Sequence, residues 1–261
     1  MIEKLSAIVK DVGQLLLAWR NSKIFNGTWD GKQFKSEVDK MAHSALTERL
    51  KEITPDIPVI SEEDETSLVR KRPKRYWIID PIDGTASFVN GYNGFVTQVA
   101  LIENHRPSIA VIYAPLWESL YTAQRGEGAF LNGKKLQIAH GKESKVLIDN
   151  YPEPVGITYN LYNELNFSKY IECGSISLKI CKVADGTADV FFKNVTVKDW
   201  DIAAPQLILE EAGGSLEESD GSIVRYDGNY EHDGIVAATS DEACTSVVSW
   251  YNNFKKMETI R

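Results

Sequence analysis

Two carboxylates, Asp80 and Asp83, end an apolar run, Trp77-Ile78-Ile79, and are followed at once by Gly84-Thr85. The run reads as a strand, Asp80-Pro81-Ile82-Asp83 as a tight turn stiffened by Pro81, and Gly84-Thr85 as a helix start. Carboxylates facing one point across a turn suit a hard cation, whereas backbone N–H groups at a helix start suit an anion. A site offering both fits magnesium-assisted attack on a phosphate ester. Mg²⁺ takes one or two protein carboxylates and completes its octahedron with water and substrate oxygens. Taken alone, the same residues also read as a turn and a helix cap, because Asp is a common N-cap and Asp-Gly a common turn.

Two further acidic stretches lie either side in the chain. One is Val59-Ile60-Ser61-Glu62-Glu63-Asp64; the other is Asp199-Trp200-Asp201-Ile202-Ala203-Ala204, with Glu211-Ala212-Gly213-Gly214 after it. With residues 77–91 they resemble, in order, the signature of the inositol monophosphatase superfamily of Mg²⁺-dependent, lithium-sensitive phosphatases. The resemblance implies that Asp80 bridges two metals, that Asp83 and Asp201 are ligands, and that the Ile82 carbonyl completes a coordination sphere. It implies Glu63 as a ligand that also orients the attacking water, with Glu62 exposed or outside the ligand set. Gly84 and Thr85 would hold phosphate through their N–H groups, with Asp83 and Asp201 also meeting the substrate. Asp39, paired with Thr85, would take the proton of the metal-activated water, although Ser36-Glu37-Val38-Asp39 also resembles a helix capping box. The implied reaction is direct attack of water on a phosphomonoester, without a phosphoenzyme. Asp199 falls outside this set.

Within the superfamily, the stretch Thr54 to Asp64, Arg75-Tyr76-Trp77, Val111 to Pro115 and Ser177-Leu178-Lys179 resemble the bacterial 3′(2′),5′-bisphosphate nucleotidases. Ser175 and Lys179 are accordingly assigned to the substrate. A cation at 179 would pair with the second phosphate that an inositol monophosphate lacks. The position of a sugar-binding glutamate in inositol monophosphatases falls near Asn194. Ala86-Ser87 departs from the nucleotidase pattern, so inositol-1-monophosphatase or another sugar monophosphatase, fructose-1,6-bisphosphatase activity included, stands as the alternative. An acidic binding protein without catalysis is the third.

The elements that must position these residues are legible from periodicity. Leu5, Ile8, Val9, Val12, Leu15, Leu16 and Trp19 mark an opening amphipathic helix, and a second begins near Ser36. Asn26 to Lys32 reads as a loop. Strands are expected at 59–60, 77–79, 96–102, 109–113 and 120–123, and Asn132-Gly133 marks a hairpin. Later come a strand at 146–149, a helix from about Ser175 to Ala184 stopped at Gly186, a strand at 190–192, a helix from Ile202 to Ala212 started by Asp201, a strand at 235–238 and a helix from Asp241. Periodicity gives α/β or α+β; the resemblance implies a layered α-β-α-β-α sandwich. Its expected halves are residues 1–143 and 144–261, with the site between them.

A chain of 261 residues with 43% hydrophobic and 25% charged residues can bury a sizeable core, and a net charge of −8 argues against a nucleic-acid polymer as partner. A small phosphorylated substrate is the expected partner, and a homodimer is compatible. Arg70-Lys71-Arg72-Pro73-Lys74-Arg75 reads as a solvated, charge-balanced loop. Cys173, Cys181 and Cys244 lack zinc or disulfide spacing and read as buried thiols in a reducing cytoplasm. His43, His105, His140 and His232 are isolated in sequence and receive no role. No apolar run has the length of a membrane span.

Overall fold

The computed structural model describes residues 1–23, 27–30, 33–69, 71–139 and 145–259. Arg70, His140 and the expected boundary between the halves lie outside the described residues. Helix α1 (Ile2–Asn21) buries Leu5, Val9, Val12 and Leu16 on one face, and α2 (Glu37–Ile53) buries Val38, Ala42, Leu46 and Leu50. Between them, β1 (Gly27–Asp30) pairs antiparallel with β2 (Gln33–Ser36). The described part of the expected loop at 26–32 is therefore a strand; Asn26, Gly31 and Lys32 lie outside the described residues.

The first large sheet takes its strands in chain order: β3 (Val59–Ser61), β4 (Arg75–Asp83), β5 (Val96–Glu103), β6 (Arg106–Ala114), β7 (Ser119–Gln124), β8 (Gly128–Leu131) and β9 (Lys134–Lys135). Only β3 and β4 run parallel. Short helices α3 (Glu65–Leu68) and α4 (Thr85–Asn90) flank β4. The β8–β9 turn at Asn132-Gly133 has φ of 50° and 78°, the two positive values that a type I′ hairpin requires.

The second half alternates: β10 (Val146–Asp149), α5 (Gly156–Glu164), β11 (Lys169–Glu172), α6 (Ile176–Ala184), β12 (Val190–Lys193), β13 (Val197–Lys198), α7 (Asp199–Ala212), β14 (Ser215–Glu218), β15 (Glu231–His232), β16 (Ile235–Ala238) and α8 (Asp241–Thr259). Its main sheet has the order β11-β10-β12-β16-β14.

Strand alternation sorts these residues into layers. On β4, Trp77 and Ile79 point outward with Val99, Leu101, Val111 and Tyr113 against α1 and α2. Tyr76 and Ile78 point inward with Ala100, Ile102, Ala110 and Ile112, against α6 and α7. Those helices also cover Ile148, Phe191 and Ala237 of the second sheet. Its far face, Leu147, Val190, Phe192, Val236 and Ala238, packs with Leu161 of α5 and with Val247 and Trp250 of α8. The result is an α-β-α-β-α sandwich. Helix α7 is apolar around most of its circumference because both sheets enclose it.

Candidate active site

The site begins on β4. Asp80 stands opposite Gln98 and Asp83 opposite Val96, so β4 advances one residue more than β5 between those pairs. This extra residue is a β-bulge, and it reverses the alternation. Without it, Ile82 would follow Tyr76, Ile78 and Asp80 onto the inner face. The bulge instead sends Ile82 into the outer cluster with Trp77 and Ile79 and turns Asp83 inward beside Asp80. Residues 80–83 are thus a bulged strand rather than the expected tight turn, and Pro81 sits where the ladder is already interrupted. Asp80 accepts the Ile82 N–H at 3.0 Å.

Each remaining carboxylate is held by a helix end or a strand end. Asp83 lies at the N-terminus of α6, where its Oδ2 accepts from Ser175 Oγ at 2.5 Å and from the Ser177 N–H at 2.7 Å. Oδ1 accepts more weakly from the Ile176 N–H at 3.4 Å. Asp201 is the third residue of α7, which starts at Asp199, so it is not the cap that the sequence suggests; it reaches back to accept the Lys198 N–H at 2.8 Å. Asp39, in the first turn of α2, lies 3.3 Å from Thr85 Oγ1, which is 3.0 Å from the Ile82 carbonyl. Gly84, at φ 91°, caps α4 where a Cβ would come within 2.6 Å of the Gly94 carbonyl.

Electrostatics bring Glu62 into this group. Burial and then Asp201, Glu63, Asp39 and Asp83 hold its carboxyl well above the usual range. Burial, Glu62, Asp83, Asp201 and Asp39 do the same to Asp80. Asp201 is pushed up to about 7 by burial and Asp83, against the pull of Lys198. The sequence puts Glu63 in the ligand set and Glu62 outside it; the structure places Glu62 just past the end of β3 within the field of the carboxylate group. Only its two-residue spacing from Ile60 on the inner face could have signalled this.

The donor set fits Mg²⁺. All the groups are oxygens, and the leading influences on Asp80 and Glu62 are burial and other carboxylates. Among the described residues no group of three His, Cys, Asp or Glu side chains stands close enough to hold a metal ion by itself.

Two residues assigned to the substrate are engaged by protein groups. Lys179 is fully buried in α6. Its ammonium donates to Asn150 Oδ1, to the Gly174 carbonyl at 3.1 Å and to the Cys173 carbonyl at 3.3 Å, and lies 5.0 Å from the centre of the Phe191 ring. Burial lowers it to about 8, with Asp149 pulling the other way. It does not ride a solvated helix face; it holds the turn before Ser175. Ser175 is also buried, its hydroxyl committed to Asp83 and to the Leu178 N–H.

A second charged group lies one turn away. Asp199 receives Arg72, which also donates to Tyr76 Oη at 3.0 Å and stacks 3.8 Å from the Tyr230 ring centre. His232 donates through Nε2 to Asp199 at 2.7 Å and through Nδ1 to Glu218 at 2.5 Å. Both ring nitrogens face carboxylates, so the ring is an imidazolium. Burial pulls its pKa down, but the bonds to Asp199 and Glu218 outweigh that and raise it to about 9. Arg72 is therefore not part of a solvated basic loop, and His232 is not isolated in space.

Residues 2–251 match the inositol monophosphatase family. Similar proteins include the 3′(2′),5′-bisphosphate nucleotidase CysQ of Salmonella typhimurium, 31% identical over 237 residues covering 87% of this chain and 94% of that protein. The Nus factor SuhB of Pasteurella multocida is 34% identical over 196 residues, 72% of this chain and 73% of its own. Among solved structures, a Thermotoga maritima IMPase matches with a TM-score of 0.80 at 25% identity, covering 94% of both chains.

Proposed function

Because the chain belongs to the inositol monophosphatase family, we propose that this phosphatase is Mg²⁺-dependent and that its substrate is a nucleoside 3′,5′-bisphosphate, with adenosine 3′,5′-bisphosphate giving AMP and phosphate. The observation that carries the metal part is that the carboxylates of Glu62, Asp80, Asp83 and Asp201 lie within one another's field, where burial and mutual repulsion dominate. Glu62, Asp80, Asp201 and the Ile82 carbonyl would hold the ion, with Asp83 beside them. Bound there, Mg²⁺ would supply Lewis acidity toward phosphate oxygens and lower the pKa of water.

The chain's own residues do the rest. With its proton directed at Asp39, the Thr85 hydroxyl presents an oxygen that accepts a hydrogen from the attacking water, and Asp39 takes the proton onward. Asp83, anchored on the start of α6, fixes the β4 bulge against the second half, so that carboxylates from both halves meet on one face. Gly84 allows the chain to turn into α4 hard against Gly94, leaving the α4 N-terminus toward the phosphate.

The substrate part is supported by the nucleotidase relative, which matches nearly the whole chain, and no longer by Lys179. The Thermotoga IMPase favours a second reading, an inositol or sugar monophosphatase. Phosphate release from adenosine 3′,5′-bisphosphate, inositol 1-phosphate and fructose 1,6-bisphosphate, in Mg²⁺ with and without Li⁺, tests both. The expected result is preference for the bisphosphate nucleotide and inhibition by Li⁺; higher kcat/KM on inositol 1-phosphate overturns the nucleotide assignment.

A further inference from the structure

We infer that Gln98 is a positioning residue of the phosphatase site, tying Asp80, Asp83 and Asp201 into one arrangement through a break that Pro205 makes in α7. The inference rests on the metal-assisted reading above.

The break follows from covalent chemistry. In an α-helix the N–H of residue 205 would bond the carbonyl of Asp201, but proline has no N–H and its ring crowds that carbonyl. Pro205 lies inside α7, beyond its first turn. Ser177 Oγ takes over, donating to the Asp201 carbonyl at 2.9 Å. The backbone N–H of the same Ser177 donates to Asp83. One residue thus holds the main chain of one acidic residue of the site and the side chain of another.

Gln98 holds Ser177. It lies on β5 directly opposite Asp80, fully buried on the inner face. Its Nε2 donates to Ser177 Oγ at 2.6 Å and to the Trp200 carbonyl at 2.7 Å. A carbonyl only accepts, so that end of the amide is the NH₂ group and the other end is Oε1. Among the described residues Oε1 has no hydrogen-bond partner although it is buried. A half-satisfied amide in a core is worse for stability than an apolar side chain of similar shape. A residue kept for packing alone would be apolar; the two donated bonds give the reason for glutamine. Stability and placement therefore pull in opposite directions at this position, and that opposition is measurable.

The variants are Gln98→Met, which keeps the volume and removes the amide, and Ser177→Ala. Each is assayed for thermal stability in EDTA, for Mn²⁺ binding by electron paramagnetic resonance without substrate, and for kcat and KM against Mg²⁺. The expected result for Gln98→Met is an unchanged or higher Tm with a Mn²⁺ dissociation constant and Mg²⁺ half-saturation raised at least about tenfold, the scale on which groups supporting metal ligands act. Ser177→Ala should act in the same direction, and the double variant should be less than multiplicative. Pro205→Ala in the Gln98→Met background restores the intrahelical donor and should recover part of the metal affinity. A lower Tm with unchanged Mn²⁺ affinity and kcat means Gln98 is merely structural and overturns the inference. A wild type that binds no Mn²⁺ and shows no Mg²⁺ dependence overturns the metal-assisted reading itself, and the inference with it.

Discussion

Asp199 and Asp201 occupy the same turn of α7 and live in opposite electrostatic worlds. Asp199 sits between Arg72 and the imidazolium of His232, so the alternating charges Arg72, Asp199, His232 and Glu218 neutralise one another inside the chain. Asp201 faces Asp80, Asp83 and Glu62, where each charge makes the next more costly. The difference teaches how to tell a structural acid from a candidate functional one. A carboxylate neutralised by protein cations completes the fold, whereas a buried group dominated by mutual repulsion is a candidate site for an external cation. Spacing alone could not separate them, since both belong to one Asp-Trp-Asp motif.

Breaking the open group should have the largest effect. Asp80→Asn is expected to lower kcat/KM at least about a thousandfold, equivalent to about 4 kcal/mol of transition-state stabilisation. Its Tm in EDTA should equal or exceed that of the wild type, because a repelling charge has gone. A variant that loses activity by unfolding, shown by circular dichroism at the assay temperature, would assign Asp80 to the fold instead.

Breaking the closed group should act on stability. Asp199→Ala leaves Arg72 and His232 without their shared partner and should cost about 3–5 kcal/mol, as removal of one member of a buried ion pair does. Urea unfolding measures it. The folded fraction should retain Mg²⁺-dependent turnover, and an unchanged midpoint would mean that the charge chain contributes nothing.

Metal addition distinguishes the two groups directly. Mg²⁺ at about a hundred times its dissociation constant should stabilise the wild type by about 2.7 kcal/mol. Asp199→Ala should gain nearly the same increment, and Asp80→Asn little. Equal increments in all three, read from Tm with and without Mg²⁺, would place the bound ion somewhere else.

The closed group also predicts a pH window. His232 has a folded pKa of about 9 against an ordinary 6.5. A base whose pKa is raised on folding contributes its full stabilisation below the unfolded value and loses it as pH rises through the folded one. Stability should therefore decline between about pH 6.5 and 9, and His232→Gln should flatten that decline in a series of Tm measurements. A wild-type profile that is already flat there would contradict the imidazolium assignment.

The smallest effect concerns substrate choice. Lys179→Met should weaken the turn before Ser175 and so reduce turnover on every substrate alike, leaving the ratio between adenosine 3′,5′-bisphosphate and inositol 1-phosphate unchanged. A shift of that ratio by tenfold or more, about 1.4 kcal/mol, would return Lys179 to the substrate.

What the sequence determined by itself was local. The periodic stripes of α1 and α2, the β-branched runs of the first sheet and the Asn132-Gly133 hairpin follow from forces acting within a few residues, and the three acidic motifs announced the family. Helix α5 is not legible because its exposed Tyr159 and its apolar N-cap, Val155, blur the stripe. What only the tertiary structure decided depended on partners distant in the chain. The bulge that turns Asp83 inward exists only against β5; Glu62 is set among Asp83, Asp201 and Asp80 only by the fold; Lys179 is buried because carbonyls at 173 and 174 and Asn150 close over its ammonium. Arg72 and His232 find each other through Asp199 across more than a hundred residues. Hydrogen bonds and Coulomb interactions act through space at a few ångströms, so a sequence shows which groups are available and the fold decides which of them meet.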